Sequence, residues 1–154
     1  MCIRDRVCPF ISDIYAVANM LISQDDVEVM EVKDYIKNPK PNGYRSLHYV
    51  VIIPIYLSSG KEYMKVEVQI RTIAMNFWAS LEHKINYKFE GNAPEHIKDE
   101  LYACAQMVSA LDAKMLSLNE EIQAIEKELQ LTKKKFTVSS PVKSSKFSLS
   151  KERL

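Results

Sequence analysis

The 154-residue chain has only three glycines, Gly43, Gly60 and Gly91. Neither a GxGxxG turn nor a GxxxxGK[ST] loop can be written with them, so any nucleotide bound here is held by other means. Cysteine is as scarce. Cys2, Cys8 and Cys104 are odd in number and form no CxxC pair. That argues against a disulfide framework and a structural zinc site, and it suits a reducing compartment. No apolar run approaches the ~18 residues of a membrane span. The opening MCIRDRVCPF lacks the apolar stretch of a secretory signal. Together these absences point to a soluble, cytoplasmic protein without a membrane partner.

A large net charge is also missing. The total is +1, from 21 Lys+Arg and 20 Asp+Glu. Residues 131–154 carry six Lys and one Arg against one Glu, however, so the first 130 residues are net acidic. An acidic body argues against broad nucleic-acid binding by the core.

The apolar patterning predicts an α+β protein. Residues 12–24 read as a helix capped by Ser12 or Asp13, with Ile14, Val17, Ala18 and Leu21 on one face. Val27–Lys33 alternates as a strand. Leu47–Leu57 is nearly all apolar and reads as a central strand covered on both faces, bent or frayed at Pro54. Ser58-Ser59-Gly60 turns the chain into an antiparallel partner, Glu62–Arg71. Thr72 caps a helix to about Lys88, packed through Ala74, Phe77, Trp78, Leu81 and Ile85. A second helix starts at Asn92-Ala93-Pro94-Glu95. Its apolar positions, Ile97, Leu101, Val108, Leu111, Met115, Leu118, Ile122, Ile125 and Leu129, form a heptad seam. At ~1.5 Å per residue this helix would run roughly 55 Å, so part of it is expected to pack on another helix or subunit. Residues 132–154, rich in Ser and Lys, read as a disordered basic tail that could touch RNA through charge alone.

Three groups of residues carry chemistry. KNPKPNGYRSLH (37–48) delivers Lys40, Asn42, Tyr44, Arg45 and His48 to the start of the central strand. Lys40 and Arg45 suit phosphates, Tyr44 offers a π-face and Asn42 an amide. Singly, each has a plain packing explanation; it is their density that stands out. On VEVQIRT (66–72), Glu67, Gln69 and Arg71 share one strand face, opposite Val66, Val68 and Ile70. Alternation alone also fits a solvated outer face. As a cleft floor, Glu67 could hold Mg²⁺ or accept a proton, and Arg71 is a fixed cation for anions. Third, Asn76, Ser80 and His83 form a polar stripe on the helix that follows.

GYRSLH followed by VEVQIRTIAMNFWASLEHKINYK resembles the synthetase domain of the RelA/SpoT family, and most closely its small alarmone synthetases. The likeness runs from about Val7 to Ile122. It implies a mixed β-sheet with flanking helices, similar to nucleotidyltransferases. It also implies transfer of pyrophosphate from ATP to the 3′-OH of GDP or GTP with Mg²⁺ as cofactor, and a homotetramer in the bacterial cytoplasm. Glu67 matches the catalytic, Mg²⁺-binding Glu, and Tyr44 the residue that stacks on guanine. Lys40, Asn42 and His48 match the acceptor-binding motif. Asn76 and Ser80 fall at guanine-reading positions. Arg45 and Arg71 are expected at phosphates.

The resemblance ends at both termini. The family's metal-binding Asp falls before or at Met1, and its adenine-packing Arg falls near Asp5 or Arg6. Arg6 is therefore the only candidate ATP contact. Residues 1–6 are expected to be foreign or mis-joined, residues 7–131 a partial synthetase domain, and the chain weakly active or inactive. The alternative is a non-catalytic module that binds guanine nucleotides or oligomerises.

Overall fold

A computed structural model describes residues 2–138. The elements run β1 (Cys2–Cys8), α1 (Ile11–Ile22), β2 (Glu28–Asp34), β3 (Leu47–Leu57), β4 (Gly60–Thr72), α2 (Ile73–Lys88) and α3 (Glu95–Val138). The chain divides into two units, Met1–Leu118 and Asn119–Leu154. In the second, the described residues, 119–138, are all helical. Ile122, Ile125 and Leu129 are exposed there.

The sheet is mixed, in the order β1-β4-β3-β2. The β3–β4 hairpin pairs from Leu47↔Ile70 to Leu57↔Gly60, and β2 joins β3 antiparallel with a bulge between Val29 and Glu31. β1 lies parallel to β4. Residues 2–6, set apart in the sequence as foreign, thus enter the sheet as an edge strand.

One sheet face is the core. Ile14 and Ala18 of α1 pack with Leu47 of β3, Ile70 of β4, Cys8, Ile36 and Met75. Ile14 and Ile70 are fully buried, each contributing about 1.5–3 kcal/mol by area. Helix α1 begins at Ile11, one residue before the expected start. Asp13 acts from inside the first turn, where its Oδ2 accepts from Phe10 N at 3.3 Å.

Several expectations need correction. The β3 strand runs through Pro54 without breaking, because β2 pairs no further than Ile52 and the missing N–H falls on an open edge. β3 is covered on both faces only in its first half, and Tyr56 and Leu57 are exposed. Phe77 and Leu81 of α2 are exposed, whereas Met75 and Trp78 are buried. The Trp78 indole N–H donates to Leu101 O at 2.9 Å and sets the helix's rotation.

On α3 the seam residues Leu111, Met115 and Leu118 are exposed. The buried positions are Ala105 and Asp112, on a neighbouring stripe. Two contacts select that stripe. Gly43, at φ +87°, lies so close that a Cβ there would stand 2.5 Å from the Ala105 Cβ. Asp112 Oδ2 accepts the Thr72 hydroxyl at 2.7 Å. Helix α3 also continues to Val138, past the expected boundary at residue 132. TKKKF contains no Gly or Pro, lysines are good helix formers that suit a helix C-terminus, and the Thr132 hydroxyl donates to Glu128 O at 2.8 Å. The remainder of the expected tail, 139–154, lies outside the described residues.

Candidate acceptor site

The 35–46 loop is built by two side chains. Asp34 Oδ1 accepts from Ile36 N and Lys37 N, both at 3.0 Å, while its Oδ2 accepts the Tyr15 hydroxyl at 3.0 Å. Asn42 Oδ1 accepts from Tyr44 N at 3.1 Å. These bonds replace the regular pairing that the two prolines forbid. The Asn42 amide donates to Glu82 of α2 at 3.2 Å, which ties the loop to that helix. Both ends of Asn42 are therefore engaged.

The alternation along β4 delivers Glu67, Gln69 and Arg71 to the face opposite the core. Register adds their neighbours. His48 lies across from Gln69, Ile3 across from Glu67 and Asp5 across from Gln69. His48 is 6% exposed. Its Nδ1 lies 3.0 Å from Glu67 Oε1, and its Nε2 lies 3.0 Å from the Tyr44 hydroxyl. Gln69 also donates to Glu67 Oε1, at 2.8 Å. Burial pushes the His48 pKa below its ordinary value; Glu67 opposes that shift, while the cations Arg71, Lys40 and Lys33 add to it.

Arg71 is the buried charge of the site. Its Nη2 donates to the Tyr44 hydroxyl at 2.8 Å and to Gln69 Oε1. Its Nη1 reaches Asp5 at 3.4 Å and Asn76 Oδ1 at 3.5 Å. Its Nε is buried without a partner. Such a donor costs about 1–3 kcal/mol, a cost that an entering acceptor removes. A cavity of about 420 Å³ opens here, lined in part by Asp5, Tyr44, Arg71, Asn76, Ser80 and Glu82. Lys40 Nζ and Arg71 Cζ lie 4.8 Å and 5.5 Å from the Tyr44 ring centroid.

The structure therefore brings together Tyr44, His48, Glu67, Arg71, Asn76 and Ser80, with Lys40 at the ring. It does not bring Arg45 or Arg6 to them. Arg45 lies on the side of Asp112, whose carboxyl is pushed up by burial; the Thr72 bond and the Arg45 charge pull it back. Arg6 is in register with Ile70, on the opposite sheet face from Glu67. His83 lines the cavity but is exposed. Sequence reasoning missed Glu82 as a cavity residue. It accepts from Asn42 and Asn86 and stands six residues along α2 from Asn76, beside the polar stripe at 76, 80 and 83 and not on it, so helical spacing gave no signal for it.

This arrangement defines a mixed α+β domain with a polar cavity beside a strand carboxylate. The region found in RelA / SpoT proteins matches residues 3–92, and the chain belongs to the RelA/SpoT family. It is 53% identical over 116 residues to the GTP pyrophosphokinase YwaC of Bacillus subtilis, covering 75% of this chain and 55% of that protein. The crystal structure of small alarmone synthetase 2 from Bacillus subtilis superposes with TM-score 0.76 at 51% identity, covering 77% of this chain and 65% of that one. Small alarmone synthetase 1 from the same organism, bound to its product pppGpp, gives 0.74 at 44% identity, covering 77% and 61%. The chain spans about half the length of the curated relatives it matches. Among the described residues no helix is long and apolar enough to cross a membrane.

Proposed function

We propose that this chain binds GDP or GTP as the acceptor for pyrophosphate from ATP, in the synthesis of ppGpp and pppGpp, and that its own turnover is weak or absent. The observation that carries the acceptor reading is the single cavity that gathers Tyr44, Asn76, Ser80 and Glu82 beside the Glu67 face of β4. A purine stacks on Tyr44, competing there with Lys40 or Arg71. Asn76 and Ser80 supply an amide and a hydroxyl to the base edge. Glu82 supplies a carboxylate, the acceptor that matches guanine's N1–H and N2 amino group and that adenine's edge does not satisfy. Lys40, displaced from the ring, and Arg71 are the cations for the acceptor's phosphates.

Glu67 takes the role of holding Mg²⁺ and orienting the ribose 3′-OH. Its Oε1 is occupied by His48 and Gln69, which leaves Oε2. Among the described residues no group of three or more metal-binding side chains surrounds it. One carboxylate suits Mg²⁺ that arrives on nucleotide phosphates and does not suffice to hold the ion alone. When bound, the ion supplies neutralisation of phosphate charge during transfer.

The low turnover follows from β1. The residue across from Glu67 is Ile3, and Asp5 is engaged by Arg71. The position paired with Glu67 is thus not a carboxylate, and the one acid of β1, Asp5, is held by Arg71. The same observation favours the second reading, a guanine-nucleotide-binding module without catalysis. A homotetramer belongs to the proposal, supported by the exposed Leu111, Met115 and Leu118 of α3. So does a cytoplasmic location. RNA contact through the basic tail, 132–154, concerns for the most part residues outside those described, 139–154.

The test is incubation with ATP, GTP and Mg²⁺, with pppGpp quantified and GDP binding measured in parallel by calorimetry. Saturable GDP binding with little product is expected. Robust product would sink the single-carboxylate argument, and absent GDP binding would sink the acceptor assignment.

A further inference from the structure

Glu82 stands between two cavities. One is the acceptor cavity of about 420 Å³. The other, of about 490 Å³, opens between the acceptor loop, α2 and the start of α3, and is lined in part by Asn42, Trp78, Asn86, Asp99 and Tyr102. Glu82 lines both, whereas Asn42 and Asn86 line only the second. Both asparagines act on one oxygen. Glu82 Oε1 accepts from Asn42 Nδ2 at 3.2 Å and from Asn86 Nδ2. Chemistry sets the direction of each bond, because an ionised carboxylate only accepts. Asn42 agrees from its other end, where its oxygen accepts from Tyr44 N at 3.1 Å. Two donors fill the two lone pairs of Oε1. Among the described residues nothing bonds Oε2.

We infer that Asn86 is a positioning residue for base selection: with Asn42 it holds Glu82 by one oxygen from the second cavity and leaves the other oxygen for the guanine edge. The inference rests on the acceptor-site reading, in which Glu82 tells guanine from adenine, and goes further by naming what aims it. Helical spacing alone does not bring Glu82 to the base. It lies six residues along α2 from Asn76, off the line through Asn76 and Ser80. Side chains on a helix lean toward its N-terminus, so Asn86, one turn on, reaches back over Glu82. An i, i+4 pair by itself is a weak surface contact. Here a loop residue 40 positions away closes on the same oxygen, and the carboxylate is tied from two elements. The hold matters because Glu is among the side chains that lose most rotamer freedom when ordered. With that freedom already lost before binding, guanine meets a carboxylate in place. Adenine, whose ring nitrogen N1 is an acceptor, gains nothing from the hold.

The experiment is a double-mutant cycle on the full chain, with GDP and ADP binding read by calorimetry. Its variants are Asn86→Leu, Glu82→Gln and the pair, each checked for folding by circular dichroism. Leu is close to Asn in size and cannot donate. Asn86→Asp, which also loses the donor, takes its place if the Leu variant does not fold. Asn86→Leu is expected to weaken GDP binding roughly five- to tenfold and to leave ADP binding within about twofold. In the Glu82→Gln background the same substitution is expected to change GDP affinity by less than about twofold. Unchanged GDP affinity in Asn86→Leu overturns the inference and leaves the acceptor reading standing. An equal loss for GDP and ADP also overturns it, because Asn86 would then only support the fold, as it would if neither variant folds. So does an undiminished GDP loss in the Glu82→Gln background, which would give Asn86 an action apart from Glu82. If the unmodified chain binds no GDP, the acceptor reading falls and this inference with it.

Discussion

The Thr72 hydroxyl donates to Asp112 Oδ2 at 2.7 Å, and Thr72 Oγ1 itself accepts from Met75 N at 3.0 Å. One side chain thus ends the strand that carries Glu67, caps α2 and ties α3 to the strand–helix junction. Thr72→Val removes the cap and leaves a buried carboxylate without its donor. Together these should cost about 2–4 kcal/mol in urea unfolding. Thr72→Ser keeps both bonds and is expected to lose under about 1 kcal/mol. Equal losses in the two variants would show that the methyl, and not the hydroxyl, matters.

Asp112 makes stability depend on pH with an unusual sign. Burial raises its folded-state pKa above the ordinary 3.8, against the pull of Thr72 and Arg45. Between the ordinary and the raised value the folded state binds more protons than the unfolded one, so stability falls as pH rises through that window. Asp112→Asn removes the titration and keeps an acceptor for Thr72. The variant's unfolding midpoint, relative to the parent, should therefore be highest near neutral pH and decline as pH falls toward 4. A difference independent of pH would remove Asp112 from this role.

Gly43 is fixed by its backbone and by its neighbour. At φ +87°, with Ala105 Cβ 2.5 Å from any added Cβ, Gly43→Ala incurs both strain and overlap. The expected loss is about 2–4 kcal/mol. Ala105→Gly in the same chain removes the overlap alone, so recovery should be partial. Full recovery would show that the positive φ carries no cost.

Glu82 is the proposed reader of guanine against adenine. Glu82→Gln keeps an acceptor for Asn42 and Asn86 and loses the charge. GDP affinity should fall roughly tenfold or more, with ADP affinity little changed. Parallel losses for the two nucleotides would place Glu82 in loop support only.

What could be read from the sequence was set by period and by local chemistry. The β3 and β4 strands, the Thr72 cap and the common face of Glu67, Gln69 and Arg71 follow from two-residue alternation and a capping side chain, which are local signals. The rotation of α3 was not legible. Its best apolar stripe passes through Leu111 and Leu118, yet the buried stripe holds Ala105 and Asp112, chosen by Gly43 and Thr72 from elsewhere in the chain. The placement of Arg45 was not legible for a related reason. It adjoins Tyr44 in sequence, and successive residues of extended chain point to opposite sides, so one faces the cavity and the other the side of Asp112. Asp5 became visible as a site residue only through the parallel register of β1 on β4.

In the proposed function Tyr44 forms the platform of a guanine-nucleotide acceptor site. Calorimetric titration of GDP into the unmodified chain and into Tyr44→Ala, each checked for folding by circular dichroism, tests it most directly. Saturable binding is expected in the first and a loss of about tenfold or more in the second, the scale of one base–aromatic stack. Absence of GDP binding in the unmodified chain, or equal affinity in the two, would contradict it.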